Sequence, residues 1–262
     1  MKQQSRSKIH AAVFAVLVFS SVVSAQEPLV TDRPDFTESS SAVGSGVLQL
    51  ESGVTFSNFQ NGTDVTTIPE ILARWGVAGK FELRFVLPTY AWEGGGGGDA
   101  SGFLFSGVGF KYELAQGNGS GFLGGTEAAL IASTTIPTGT SDFASSKWQP
   151  SAVFCASWEL GPNVGIGTNL GIGRPADDDD RYTTLWASVA VGVGLNEATS
   201  LFVELFGFNR EEDRGPSTAS FQTGLVYLFS PDLQADVRVA RRLTDRGVDF
   251  LVGAGISWRL GG

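Results

Sequence analysis

The sequence has almost none of the side chains that carry most enzymatic and cofactor chemistry. Of its 262 residues, one is cysteine, one methionine and one histidine. The lone Cys155 excludes an internal disulfide and any cysteine-based zinc site. It reads as an inert small residue within a strand. The lone histidine, His10, lies among the first ten residues. Charge is also scarce: charged residues make up 17% of the chain and mean hydropathy is +0.07, a balance that argues against disorder. The formal charge of −9 leaves no electrostatic footprint for nucleic acid. The abundant types are glycine (35) and aromatics, with 19 Phe, 6 Trp and 4 Tyr. The five-glycine run Gly94 to Gly98 lacks the Lys-Ser/Thr of a phosphate-binding loop.

Long apolar runs are missing too. Residues 1–25 read as a secretory signal peptide, with Lys2, Arg6 and Lys8 ahead of the apolar run Ala11 to Phe19. Val23-Ser24-Ala25 supplies the small or apolar residues of a cleavage site before Gln26. Nothing downstream approaches the 18 or so apolar residues of a membrane-crossing helix. Cleavage would remove three basic residues and the only histidine, leaving 15 basic against 27 acidic groups. An exported chain of this kind is a soluble extracytoplasmic protein or a β-barrel.

The pattern after residue 47 decides between them. Period-two segments punctuated by Gly, Pro, Asn and Asp predict 12 strands: 47–57, 66–77, 81–90, 104–114, 123–136, 149–160, 164–173, 183–195, 200–209, 218–229, 233–241 and 249–260. Most are nearer the ~9–11 residues of a membrane-crossing strand than the ~5–6 of a globular one. Short turns follow the even strands, such as Ala78-Gly79-Lys80 and Ser230-Pro231-Asp232. Longer polar loops follow most odd ones, such as 58–65, 91–103 and 174–182. That alternation predicts periplasmic turns and extracellular loops. The expected fold is all-β, an antiparallel up-and-down transmembrane β-barrel preceded by an extended segment over 26–46.

Faces follow from the period. Phe81-Glu82-Leu83-Arg84-Phe85 sets apolar side chains against charged ones, as do the strands around Glu51, Lys111 and Asp236. The expected lumen face carries Glu51, Glu70, Arg74, Glu82, Arg84, Lys111, Glu113, Glu127, Asp236, Arg238 and Arg259. Such charges either form a constriction that selects solutes or pair across strands to fill and stiffen a narrow barrel. Trp75, Tyr112, Trp158, Tyr227 and Trp258 lie near the ends of even strands on their apolar faces, where an interfacial girdle would sit. Tyr90, Trp92, Trp148, Tyr182 and Trp186 collect at the opposite boundary or in the adjoining loops. Strands 183–195 and 200–209 stay open, because Phe202, Phe206 and Phe208 share a face with Glu204.

The run Leu29-Val30-Thr31-Asp32-Arg33-Pro34-Asp35-Phe36-Thr37-Glu38-Ser39-Ser40, followed by Val47-Leu48-Gln49-Leu50-Glu51-Ser52-Gly53, resembles the opening of the "MetA pathway of phenol degradation" outer-membrane transporter family. Glu82-Leu83-Arg84 ahead of Leu87-Pro88, and Ile136-Pro137-Thr138-Gly139, are similar to further recurring pieces, collinear over about 29–260. The resemblance implies an outer-membrane barrel for uptake of small, often hydrophobic compounds, without fixing phenol as the solute. Many outer-membrane barrels end in Phe as an assembly signal, whereas this chain ends Trp258-Arg259-Leu260-Gly261-Gly262.

Two further features carry alternatives. Thr31 to Ser40 is either a plug, with Asp32, Arg33, Asp35 and Glu38 pairing with wall charges, or a periplasmic tail. Asp177 to Asp180 is a solvated acidic loop, or a Ca²⁺ bridge to lipopolysaccharide phosphates. Hydrolytic barrels commonly use a histidine base, and the exported chain has none. The reading is therefore a channel without catalysis, cofactor or metal. Its partners would be outer-membrane lipid and lipopolysaccharide, a small-molecule solute and the barrel assembly machinery, with no nucleic acid. Its alternatives are a structural or adhesive barrel and a secreted β-sandwich.

Overall fold

The computed structural model describes residues 27–96, 98–117, 125–143, 145–177 and 180–261. The expected signal peptide and the centre of the acidic loop lie outside them. Sixteen strands are described, in chain order β1 (Leu48–Phe59), β2 (Thr63–Ala78), β3 (Phe81–Val86), β4 (Tyr90–Gly95), β5 (Ala100–Phe103), β6 (Ser106–Gln116), β7 (Glu127–Ile136), β8 (Gln149–Gly161), β9 (Val164–Gly173), β10 (Ala176–Asp177), β11 (Asp180–Arg181), β12 (Thr184–Gly194), β13 (Thr199–Phe208), β14 (Thr218–Ser230), β15 (Leu233–Arg242) and β16 (Val248–Leu260). Each long strand pairs antiparallel with its chain neighbour. β1 pairs with both β2 and β16, running from Leu48↔Leu260 to Phe59↔Val248. This joins the two edges, so twelve staves form a closed antiparallel barrel with no free edge through the wall.

The expected stave 81–90 breaks at Leu87-Pro88-Thr89. Its lower part, β3, pairs with the second half of β2, and its upper part, β4, pairs with the first half. Proline cannot donate to a ladder, so pairing stops there. The expected loop 91–103 is mostly a hairpin, β4 with β5, closed through Gly95 and Gly98 at positive φ. Tyr90 packs on Trp92 and Phe103, with ring centroids 4.6 and 4.9 Å apart, which holds the hairpin above the barrel. The expected loop 58–65 contracts to the turn Gln60-Asn61-Gly62 between β1 and β2. Loop 174–182 carries the small hairpin of β10 and β11.

Burial is inverted relative to a water-soluble domain. Arg74, Lys111, Glu51 and Glu82 have no accessible surface, whereas Leu160, Leu170 and Phe229 are 60–61% exposed. Charged groups are almost never fully buried unless paired. An apolar exterior around a polar interior suits a barrel whose outer solvent is hydrocarbon. Trp75, Tyr112, Tyr227 and Trp258 project outward, near half exposed, on the rim joined by the short turns. Trp158 is half-buried on the same rim and donates its indole N–H to Thr126 at 2.8 Å. On the opposite rim Trp92 and Trp148 are exposed, while Tyr182 is buried under Glu211, whose carbonyl accepts its hydroxyl.

Leu170 faces outward and pairs with Phe154, near the middle of β8. Leu170→Arg is expected to destabilise the folded barrel by about 2–4 kcal/mol, as for a cation near the bilayer midplane. Denaturant unfolding from lipid vesicles measures this.

Candidate functional site: the occupied lumen

Residues 27–47 do not form a stave; they thread the lumen before β1. At the rim joined by the short turns Leu29 N donates to Pro231 O at 2.8 Å, and Arg259 donates to the carbonyl of Glu27 at 2.8 Å. Further in, the segment has no strand beside it, so its N–H groups need other acceptors. Wall side chains supply them. Asp32 N and Arg33 N each donate to Glu51 at 3.0 Å. Phe36 N and Thr37 N donate to Glu204 at 2.8 and 2.7 Å. Glu38 N reaches Asn169, Ala42 N reaches Glu113, and Val43 N reaches Glu82, at 2.7–2.8 Å. Ser40 donates its hydroxyl to Glu127 at 3.1 Å.

An ionic cluster locks the same segment. Asp32 lies 2.9 Å from Lys111 and 3.4 Å from Arg74, and it also takes Arg84. Arg74 in turn reaches Glu51 at 3.0 Å and Glu82 at 2.9 Å. Arg84 reaches Glu38 at 2.6 Å and Glu82 at 3.1 Å. Opposite this cluster, Arg33 bridges Glu70 and Asp236, each at 3.2 Å. Its guanidinium lies across Gly53 and Gly255, a cross-strand pair on β1 and β16. A Cβ on Gly53 would sit 2.5 Å from Arg33 Cζ, so the inward glycines leave the room this cation occupies. Arg238 donates to Pro34 O at 2.9 Å and to Thr55 at 3.0 Å. Arg259 pairs with Asp232 at 2.6 Å near the short-turn mouth. Asp35 departs from the expected wall pairing: among the described residues it has no salt bridge and accepts no donor from the wall.

An aromatic wall completes the lumen and fixes the faces of 183–195 and 200–209. Phe36 stacks on Phe206, with centroids 4.5 Å apart, and meets Phe208 edge-on at 5.5 Å. Trp186 lies 6.1 Å from Phe208, over Gly171 and Gly173 of β9. The face with Phe202, Glu204, Phe206 and Phe208 is therefore the lumen face, and Val203 and Leu205 point outward. Glu204 and Asn169 belong to the anchoring set and were not among the expected lumen residues. The apolar partners Leu201, Val203 and Leu205 are the signal in the sequence that would have assigned Glu204 inward.

The segment leaves a cavity on each side. One, of about 650 Å³, lies toward the short turns and is lined by Thr31, Ser40, Glu127, Ser157, Trp158 and Phe202. The other, of about 440 Å³, opens toward the long loops and is lined by Leu72, Val86, Phe105, Ile131, Trp186 and Phe208, with Phe36 of the segment.

Comparison with known proteins agrees with this architecture. The family model described as "Putative MetA-pathway of phenol degradation" matches residues 31–260, which include the lumen segment and the whole barrel. The chain belongs to this family. No curated protein matches the sequence. Among solved structures, the fold is similar to the NanC porin (TM-score 0.55, 10% identity, covering 81% of this chain and 100% of that one). It is also similar to the KdgM porin (0.54, 10%, 81% and 99%). The translocator domain of the autotransporter NalP from Neisseria meningitidis is comparable (0.52, 10%, 83% and 90%). The family member described here is a closed antiparallel β-barrel with a porin-like fold.

Removing Arg74 would leave Asp32, Glu51 and Glu82 buried without their shared cation. Arg74→Ala is expected to cost about 3–5 kcal/mol, the usual penalty for breaking a buried pair from one side. Urea unfolding of the refolded protein in detergent micelles tests the value.

Proposed function

We propose that this barrel is a passive channel for uptake of small molecules, hydrophobic or aromatic ones included, across the outer membrane. The observation that carries the reading is the pair of cavities on either side of the lumen segment. The outward one is amphipathic, with a wall of Phe36, Trp186 and Phe208 beside polar groups. Concave sites with apolar walls and few polar groups suit small organic ligands. A single aromatic ring fits the outward cavity and stacks on that wall at low cost. The lumen segment acts as a plug that constricts the path. The channel needs no catalytic group, and the exported chain offers no histidine for hydrolysis.

A structural barrel without transport is the second reading, favoured by the fully buried Arg74–Asp32–Lys111 cluster at the centre of the lumen. Liposome swelling separates the two. Flux of small solutes through the purified protein supports the channel, and no flux removes it. Deleting residues 26–40 is expected to raise single-channel conductance several-fold in planar bilayers. Unchanged conductance and gating would show that the segment does not constrict the path.

A further inference from the structure

The two cavities share two lining residues, Asp35 and Glu38. A solute moving from the outward cavity to the periplasmic one passes these carboxylates, whichever way the segment flexes around them. We infer that Asp35 and Glu38 form the charge-selective threshold of the channel, admitting neutral and cationic small molecules and refusing anions. The inference rests on the channel reading and assigns its solutes a charge class.

The surroundings support the sign. Every cation of the central lumen is engaged: Arg33 by Glu70 and Asp236, Arg84 by Asp32 and Glu38, Lys111 by Asp32. Arg74 is held by Glu51 and Glu82, and Arg238 lies 3.9 Å from Glu70. Carboxylates are in excess. Asp35, Glu113, Glu127 and Glu204 form no salt bridge among the described residues. Glu113 and Glu204 instead accept backbone N–H groups of the segment, which stabilise a carboxylate without cancelling its charge. The lumen therefore holds more carboxyl groups than cations, and low-dielectric walls focus the field of those that are ionised.

Asp35 is the member of the pair without a cation beside it: among the described residues it forms no salt bridge, whereas Glu38 pairs with Arg84 at 2.6 Å. A solute that brings a cation supplies the partner this group lacks. An anion meets the opposite situation, with its own charge added to the group.

Benzylamine and benzoate test the inference, because they share a ring and differ in charge sign; benzyl alcohol is the neutral reference. Proteoliposomes in mildly alkaline buffer, compared with protein-free liposomes, report the flux of each. The expected result is benzyl alcohol and benzylamine entering about tenfold or more faster than benzoate. Asp35→Asn and Glu38→Gln should shrink that ratio, and Asp35→Lys should reverse its direction. Asp35 takes no wall bond, so its variants are expected to fold, and heat-modifiable gel migration verifies this. Wild-type reversal potential in a KCl gradient gives an independent sign and should report cation preference. Equal entry of benzylamine and benzoate, or an unchanged ratio in the folded variants, overturns the threshold and leaves the channel standing. No entry of any of the three solutes overturns the channel reading itself, and the threshold with it.

Discussion

An irregular backbone inside a barrel must find acceptors for its N–H groups, and the rest of this lumen follows from that demand. The segment between Glu27 and Val47 has no strand neighbour over most of its length, and water cannot reach every amide. The wall answers with carboxylates: Glu51, Glu82, Glu113 and Glu204 each accept backbone N–H groups from it. Charge-assisted bonds of this kind are shorter and stronger than neutral ones. Arg74 and Lys111 then offset part of the negative charge that these acceptors and Asp32 concentrate in one place. The ionic cluster is thus a consequence of how the backbone is satisfied, and its incomplete neutralisation is built in.

The barrel wall supports this arrangement from outside. Closure through β1 and β16 removes sheet edges, and the alternation of side chains sends apolar groups to lipid and polar ones to the segment. The glycines on the lumen side are the recesses of the wall. Gly53 and Gly255 receive Arg33, and Gly171 and Gly173 receive the ring of Trp186. A composition rich in glycine and poor in charge thereby becomes a thin wall around a densely bonded interior.

Most of the wall was legible in the sequence because a period of two, strand length and turn residues are local signals. The twelve staves, their alternating connections and the inward placement of residues such as Glu82, Arg84 and Lys111 follow from these. Other features depend on distant partners. Glu204 bonds to Thr37 across 167 residues, and no local pattern shows that Phe206 and Phe208 share its face because Phe36 packs on them. The break at Leu87-Pro88-Thr89 and the hairpin above it were hidden for a different reason. Tyr90, Trp92 and Phe103 convert a polar, glycine-rich stretch into paired strands through ring packing that composition does not display.

The seat of Arg33 is assembled from both ends of the chain. The cation comes from the segment ahead of β1, Gly53 and Glu70 from the first two staves, and Asp236 and Gly255 from the last two. These two sets of wall groups lie side by side where β16 pairs with β1. The segment precedes in sequence every stave that encloses it. The barrel wraps around the segment that leads into its first stave, and the arginine seated there acts as a rivet across the closing seam.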